Sequence, residues 1–272
     1  MTTQDLMKIA LDLAGLDTMP EDTVIYQEGS EIHKVLIGID METPELLLAK
    51  QLGYDLVVSH HPKGDTATTD FHKVMAVQID RMLSFGIPVN KAQKMLRKKQ
   101  KSVEIGSHVS NYDRHPSAAR LMKMPYMNIH MPADLIGERF VQKYLDEKFE
   151  ESPKATLQDV IDALNTLEIY KNAKANPVIR CGGKEDYAGK IAVLYAGGTN
   201  GGADVYKAYF DAGVGTIVAM HAPEDVISAV REQNIGNIIV AGHMASDSIG
   251  LNAIIAAWEE RGLSVDKMSG IL

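Results

Sequence analysis

Cysteine is almost missing from this chain: Cys181 is the single thiol among 272 residues. One thiol excludes an internal disulfide and a cysteine-rich zinc site, and it suits a reducing cytoplasm. No apolar run approaches the roughly 20 residues that a membrane-spanning helix needs. At the N-terminus, Leu6, Ile9, Ala10 and Leu13 follow helical spacing, which predicts an amphipathic helix instead of a signal peptide. Positive charge is also scarce: 28 Lys+Arg against 36 Asp+Glu leaves a net charge of −8. That balance argues against nucleic acid as the main partner, because phosphate binding needs a basic surface. The local exception, Lys94 to Lys101, reads as a solvated helix end whose cations suit the helix dipole. Also lacking are a Gly-x-Ser-x-Gly elbow, a Walker A loop, a repeat of solenoid length and any low-complexity tract.

What is present is an ordinary soluble composition, 45% hydrophobic and 24% charged, with an unusual placement of histidine. Asp55-Leu56-Val57-Val58-Ser59 reads as a strand buried on both faces, and it runs into His60, His61 and Pro62. Proline cannot extend a sheet ladder, so the strand stops there. Three other runs follow the same grammar. Val103 to Ser107 leads to His108 and then Asp113; Thr216 to Met220 leads to His221, Glu224 and Asp225; Asn237 to Gly242 leads to His243 and Asp247. Five of the nine histidines thus follow predicted strands, and the crevice beyond the carboxyl ends of such strands is where α/β sheets bind ligands.

The order of elements predicts two α/β lobes with largely parallel sheets, at about 1–124 and 186–272, around a different texture at 125–185. Lys34 to Ile39, a short helix opening at Thr43-Pro44-Glu45 and ending at Gly53, and the strand before His60 form one βαβ unit. Within the middle segment, Tyr126 to Met131 reads as a short strand, and Thr156 with Asp159 as a capping pair.

Histidine with carboxylate, without cysteine, suits Zn²⁺, Mn²⁺ or Fe²⁺. Adjacent side chains on an extended backbone diverge, so His60 and His61 are expected to serve two ions about 4 Å apart. Asp113 and Asp247 are the natural bridging or shared ligands, with His243 as a further terminal one. His221 and His108 are candidate proton shuttles. Blander readings stand beside these. Asp247 and Asp113 each fit a helix N-cap, and His108 and His221 fit hydrogen-bonded histidines at strand ends. His33, His72 and His115 read as surface residues, and His130, after a short apolar strand, supports either reading. The run Gly197-Gly198-Thr199-Asn200, between a strand and a helix, suits an anion cradle or a tight turn equally.

Lys34 to Asp40 followed by Asp55 to Pro62 resembles the opening of the YbgI/NIF-three-like proteins. Ser110-Asn111-Tyr112-Asp113 is similar to their second motif, His-Thr-Asn-Leu-Asp, and Gly242 to Asp247 is similar to their C-terminal Gly-His-x-x-Ser-Glu. His108 stands five residues before Asp113, where the motif's interval is four, and Asp247 replaces the motif's Glu. The segment 63–101 is longer and more basic than is usual. The resemblance implies a dinuclear metal cleft between two α/β lobes, with His60, His61, Asp113, His243 and Asp247 as ligands. It also implies a homo-oligomer, a hexameric ring, and the label type 2 GTP cyclohydrolase I that many relatives carry. The expected function is a cytoplasmic metal-dependent hydrolase of a nucleotide or other phosphate-bearing small molecule. The alternatives are a non-catalytic metal-binding regulatory or metallochaperone scaffold, and a metal-free nucleotide-binding domain using the glycine loop.

Overall fold

In a computed structural model that describes residues 1–272, the apolar periods of the sequence become thirteen helices and nine strands. Helix α1 (Thr3–Ala14) is closed by a reciprocal cap, in which the Thr2 hydroxyl accepts from the Asp5 N–H and the Asp5 carboxylate accepts from the Thr2 N–H. Strands β1 (Val24–Gln27) and β2 (Lys34–Gly38) lead to α2 (Thr43–Leu52), β3 (Leu56–Ser59) and the short α3 (Asp65–Thr69) and α4 (Phe71–Val74). Next come α5 (Val77–Ser84), the long α6 (Val89–His108), α7 (Arg114–Met122), β4 (Tyr126–Asn128) and α8 (Met131–Phe149). Helices α9 (Leu157–Leu164) and α10 (Glu168–Lys171) precede β5 (Val178–Cys181) and β6 (Lys190–Leu194). The remainder alternates regularly: α11 (Ala203–Asp211), β7 (Val214–Ala219), α12 (Glu224–Gln233), β8 (Asn237–Val240), α13 (His243–Glu259) and β9 (Ser264–Met268). No helix is long and apolar enough to cross a membrane.

The chain divides into two units. One holds 1–74, 102–136 and 247–272; the other holds 75–101 and 137–246. The first carries a five-stranded sheet in the order β1-β4-β3-β2-β9, parallel except for the β1–β4 pair. Every residue of its central strand β3 is buried, as an apolar run covered on both faces requires. The second carries a four-stranded sheet in the order β5-β8-β7-β6, parallel except for β5–β8. The fold is therefore mixed α/β with two mostly parallel sheets, as the alternation of elements predicts.

One local expectation changes. The run Val103 to Ser107 is not a strand but the end of α6. Helix growth is cooperative, and the strong helix formers from Lys91 to Lys101 carry it through the β-branched residues, leaving Ile105 60% exposed. Each unit draws on separated stretches of the chain. Strand β4 joins the first sheet beside β3, and β9 returns from the C-terminus to pair with β2 from Lys34↔Ser264 to Gly38↔Met268.

Within the first unit, Tyr26, Leu36, Leu46, Val57, Met124 and Tyr126 form one buried cluster. The fully buried Trp258 of α13 donates its indole N–H to the Leu6 carbonyl of α1 at 3.2 Å. Helix α13 also crosses the first turn of α8 so closely that a Cβ at Gly250 would lie 1.9 Å from the Ala133 oxygen. Only glycine permits that approach, and it lays the middle of α13 against the first turn of α8.

Candidate metal centre

The end of β3 leads directly into the first two candidate ligands, His60 and His61. The ladder continues beyond Ser59, with His60 N–H donating to the Gly38 carbonyl at 2.8 Å and His61 N–H to Ile39 at 3.0 Å. Beside them β4 ends at Asn128, and two residues later His130 starts the turn into α8, which carries Asp134. The Asp134 N–H donates to the His130 carbonyl at 3.1 Å. Asp247 enters from α13. One ligand atom each from His60, His61 and His130 lie within 4.8 Å of one another, and the same holds for His60, Asp134 and Asp247.

The three rings share one tautomer. His60 Nδ1 faces the Ile129 carbonyl at 2.9 Å, His61 Nδ1 faces Asp40 Oδ1 at 3.0 Å, and His130 Nδ1 faces Asp22 Oδ2 at 2.7 Å. A carbonyl and two carboxylates can only accept, so each ring carries a proton on Nδ1 and turns Nε2 inward. The Nε2 atoms meet carboxylate oxygens at 3.3 Å (His60–Asp134), 3.6 Å (His60–Asp247), 3.6 Å (His61–Asp247) and 3.7 Å (His130–Asp134). These gaps exceed an ordinary N–H···O hydrogen bond. They match two donors that each sit about 2.1 Å from a shared cation, which a tetrahedral angle sets about 3.4 Å apart. His60 Nε2 and Asp134 Oδ1 are buried and make no hydrogen bond. A divalent cation would satisfy both, so the residues present fit one.

Electrostatics agree. Burial pulls the His60 imidazole toward its neutral form, but Asp247 and Asp134 outweigh it and raise its pKa well above the ordinary value. Burial likewise opposes protonation of His130, and Asp134 and Asp22 overcome it. Asp40 is opposed by burial too, yet Lys63 at 2.6 Å and the His61 ring hold its carboxyl below the usual range. Asp22, Asp134 and Asp247 are all buried, a costly accumulation of negative charge that a cation would offset.

The other candidate residues lie as follows. His243 opens α13 one turn before Asp247, half-buried, with its ring edge-on to the exposed His221 at 4.7 Å between centroids. Asp113 is exposed before α7, where its carboxylate accepts from Arg120, and it is absent from the converging sets. His108 is exposed at the end of α6. His115 is buried and accepts the Thr43 N–H on Nδ1 at 3.2 Å. In the glycine loop, the Gln78 amide donates to the carbonyls of Gly197 and Thr199, both at 2.8 Å. The Gly201 and Gly202 N–H groups go to the Thr199 and Asn200 side chains. Gly197, at φ 111, has Gln78 where a Cβ would stand, so close packing accounts for that glycine.

The sequence leaves His130 open between two readings and gives Asp134, Asp22 and Asp40 no ligand role, although one signal is there. His130-Met131-Pro132-Ala133-Asp134 has the four-residue His-to-Asp interval of the His-Thr-Asn-Leu-Asp motif and follows a strand, whereas the interval from His108 to Asp113 is five and follows a helix. Nothing local marks Asp22 and Asp40, whose partners lie 108 and 21 residues away.

No family model and no curated protein matches the chain. Among solved structures, a NIF3 superfamily protein from Sphaerobacter thermophilus is 39% identical, with a TM-score of 0.96 over 99% of this chain and 98% of its own. Reduced HcgD from Methanocaldococcus jannaschii is 13% identical at a TM-score of 0.58, covering 98% of this chain and 97% of its own. The protein ybgI is 15% identical at 0.57, covering 99% and 98%. The last two likenesses concern the fold alone.

Proposed function

Because the chain belongs to the NIF3 superfamily, we propose that it is a metal-dependent hydrolase with two divalent ions, acting on a nucleotide or another small phosphate-bearing molecule. The support comes from three imidazoles that share one tautomer and face buried carboxylates across gaps of metal-bridging length. His60, His61, His130, Asp134 and Asp247 are the proposed ligands, joined by His243 from the first turn of α13. Bound Zn²⁺, Fe²⁺ or Mn²⁺ would supply Lewis acidity and a water acidic enough to act as a nucleophile near neutral pH.

The protein's own residues have separable tasks. Asp22, Asp40 and the Ile129 carbonyl hold the three rings by their Nδ1 protons, which turns each Nε2 toward the carboxylates. Lys63 pairs with both Asp40 and Glu42 at the rim, so that it offsets one of the two negative charges while Asp40 orients His61. His221, exposed and beside His243, is placed to pass a proton to solvent. On the family reading the working form is a homo-oligomer, a hexamer that sedimentation would register.

The test is to quantify bound metal in purified protein, then assay nucleotides and phosphoesters with and without a chelator. Hydrolysis that is lost with the metal and restored by adding it back supports the proposal. Stoichiometric metal with no turnover on any substrate would point to a metal-binding scaffold.

A further inference from the structure

Three hydroxyls buried in the second unit form a chain whose direction can be assigned. The Ser246 Oγ lies 2.7 Å from the Gly242 carbonyl one turn earlier and donates to it. With its single proton committed, Ser246 accepts from the Tyr170 hydroxyl at 3.1 Å. Tyr170 has then used its own proton, so at 2.8 Å it accepts from Tyr195. The order Tyr195 to Tyr170 to Ser246 to the Gly242 carbonyl follows from proton counting alone.

Both ends of the chain are anchored. Tyr195 leaves β6 with its N–H donating at 2.9 Å to the buried Glu138 carboxylate, which also accepts from the Ala196 N–H and faces Arg81 at 3.3 Å. Gly242 has φ 107, its N–H donates to the Met220 carbonyl at 3.2 Å, and a Cβ there would stand 2.5 Å from the Ala175 oxygen. Gly242 and Ser246 bracket the first turn of α13. That turn begins with His243, and Asp247 is the next residue after Ser246.

We propose that Tyr195, Tyr170 and Ser246 are positioning residues that fix the rotation of the first turn of α13, and so set where His243 and Asp247 present their ligand atoms. The inference rests on the metal-centre reading above. Phenylalanine and alanine would fill most of the same space, and apolar packing tolerates small rotations of a helix. A hydrogen-bond chain with every proton assigned does not.

The test compares Tyr195→Phe, Tyr170→Phe, Ser246→Ala and Ser246→Thr with the wild type. The readouts are Zn²⁺ affinity by chelator competition, the visible spectrum of the Co²⁺-loaded protein, and the thermal midpoint of the metal-free protein. Tyr170→Phe and Ser246→Ala are expected to lose about tenfold in affinity, the low end for residues that orient ligands, and to change the Co²⁺ spectrum. Ser246→Thr, which keeps the hydroxyl, is expected to restore both. Tyr195→Phe removes only the terminal donor and remains readable if Ser246→Ala does not fold. Wild-type affinity and spectrum in folded variants, whatever their midpoints, would overturn the positioning role while leaving the metal centre standing. A wild type that binds no divalent ion would overturn both.

Discussion

His60, His61 and His130 owe their use to the groups behind them. A ring whose Nδ1 proton is held by Asp22 or Asp40 has one nitrogen left, and it faces the carboxylates. Asp22→Asn and Asp40→Asn each put an amide that can also donate where only an acceptor stood, and each is expected to weaken metal binding about 10- to 100-fold. Chelator competition measures this, and Asp22→Glu is the control that keeps the acceptor. A second expectation concerns protons. His60 and His130 have pKa values raised above their ordinary 6.5 in the metal-free protein. A raised folded-state pKa means that the folded state binds the proton more tightly. The stability this contributes is fully present below about pH 6.5 and is lost as pH rises through the folded-state values. Urea denaturation of the metal-free protein from pH 6 to 9 should therefore show declining stability. Metal displaces those protons, so calorimetry in buffers of different ionisation enthalpy should register proton release on binding.

Helix α13 meets the start of α8 through Gly250, and the contact is backbone against side-chain space: a Cβ would lie 1.9 Å from the Ala133 oxygen. Because neither backbone can yield as a flexible side chain would, Gly250→Ala should cost about 1–3 kcal/mol or more in denaturant unfolding. It should also separate Asp134 from Asp247 and lower metal affinity. At this scale the sequence was partly legible. The apolar runs before His60, His221 and His243 do become β3, β7 and β8. The run before His108 does not, because a helix already nucleated upstream continues through it. Spacing along a chain records local preference, whereas which of two allowed conformations prevails depends on the neighbouring element.

At the level of the whole chain, the C-terminal segment belongs to the first unit. Strand β9 lies beside β2, and Ser269 accepts the Asp40 N–H while donating its hydroxyl to the Asp40 carbonyl at 2.8 Å. The tail therefore supports the residue that orients His61. Deleting 264–272 exposes the edge of β2 and should reduce both the thermal midpoint and metal affinity. Circular dichroism and chelator competition on one preparation would check the two together, and a truncated protein with wild-type affinity would show that Asp40 needs no such support.

By itself the amino-acid order determined the α/β class and the strands that run into His60, His221 and His243, since these apolar runs record local preference. The assembly of one centre from His60 and His61, His130 with Asp134, and Asp247 was decided by strand order and by the crossing of α8 and α13. Asp22 and Asp40 belong there too, because a carboxylate becomes a partner for an imidazole only when folding removes the intervening water and brings the two within hydrogen-bonding reach.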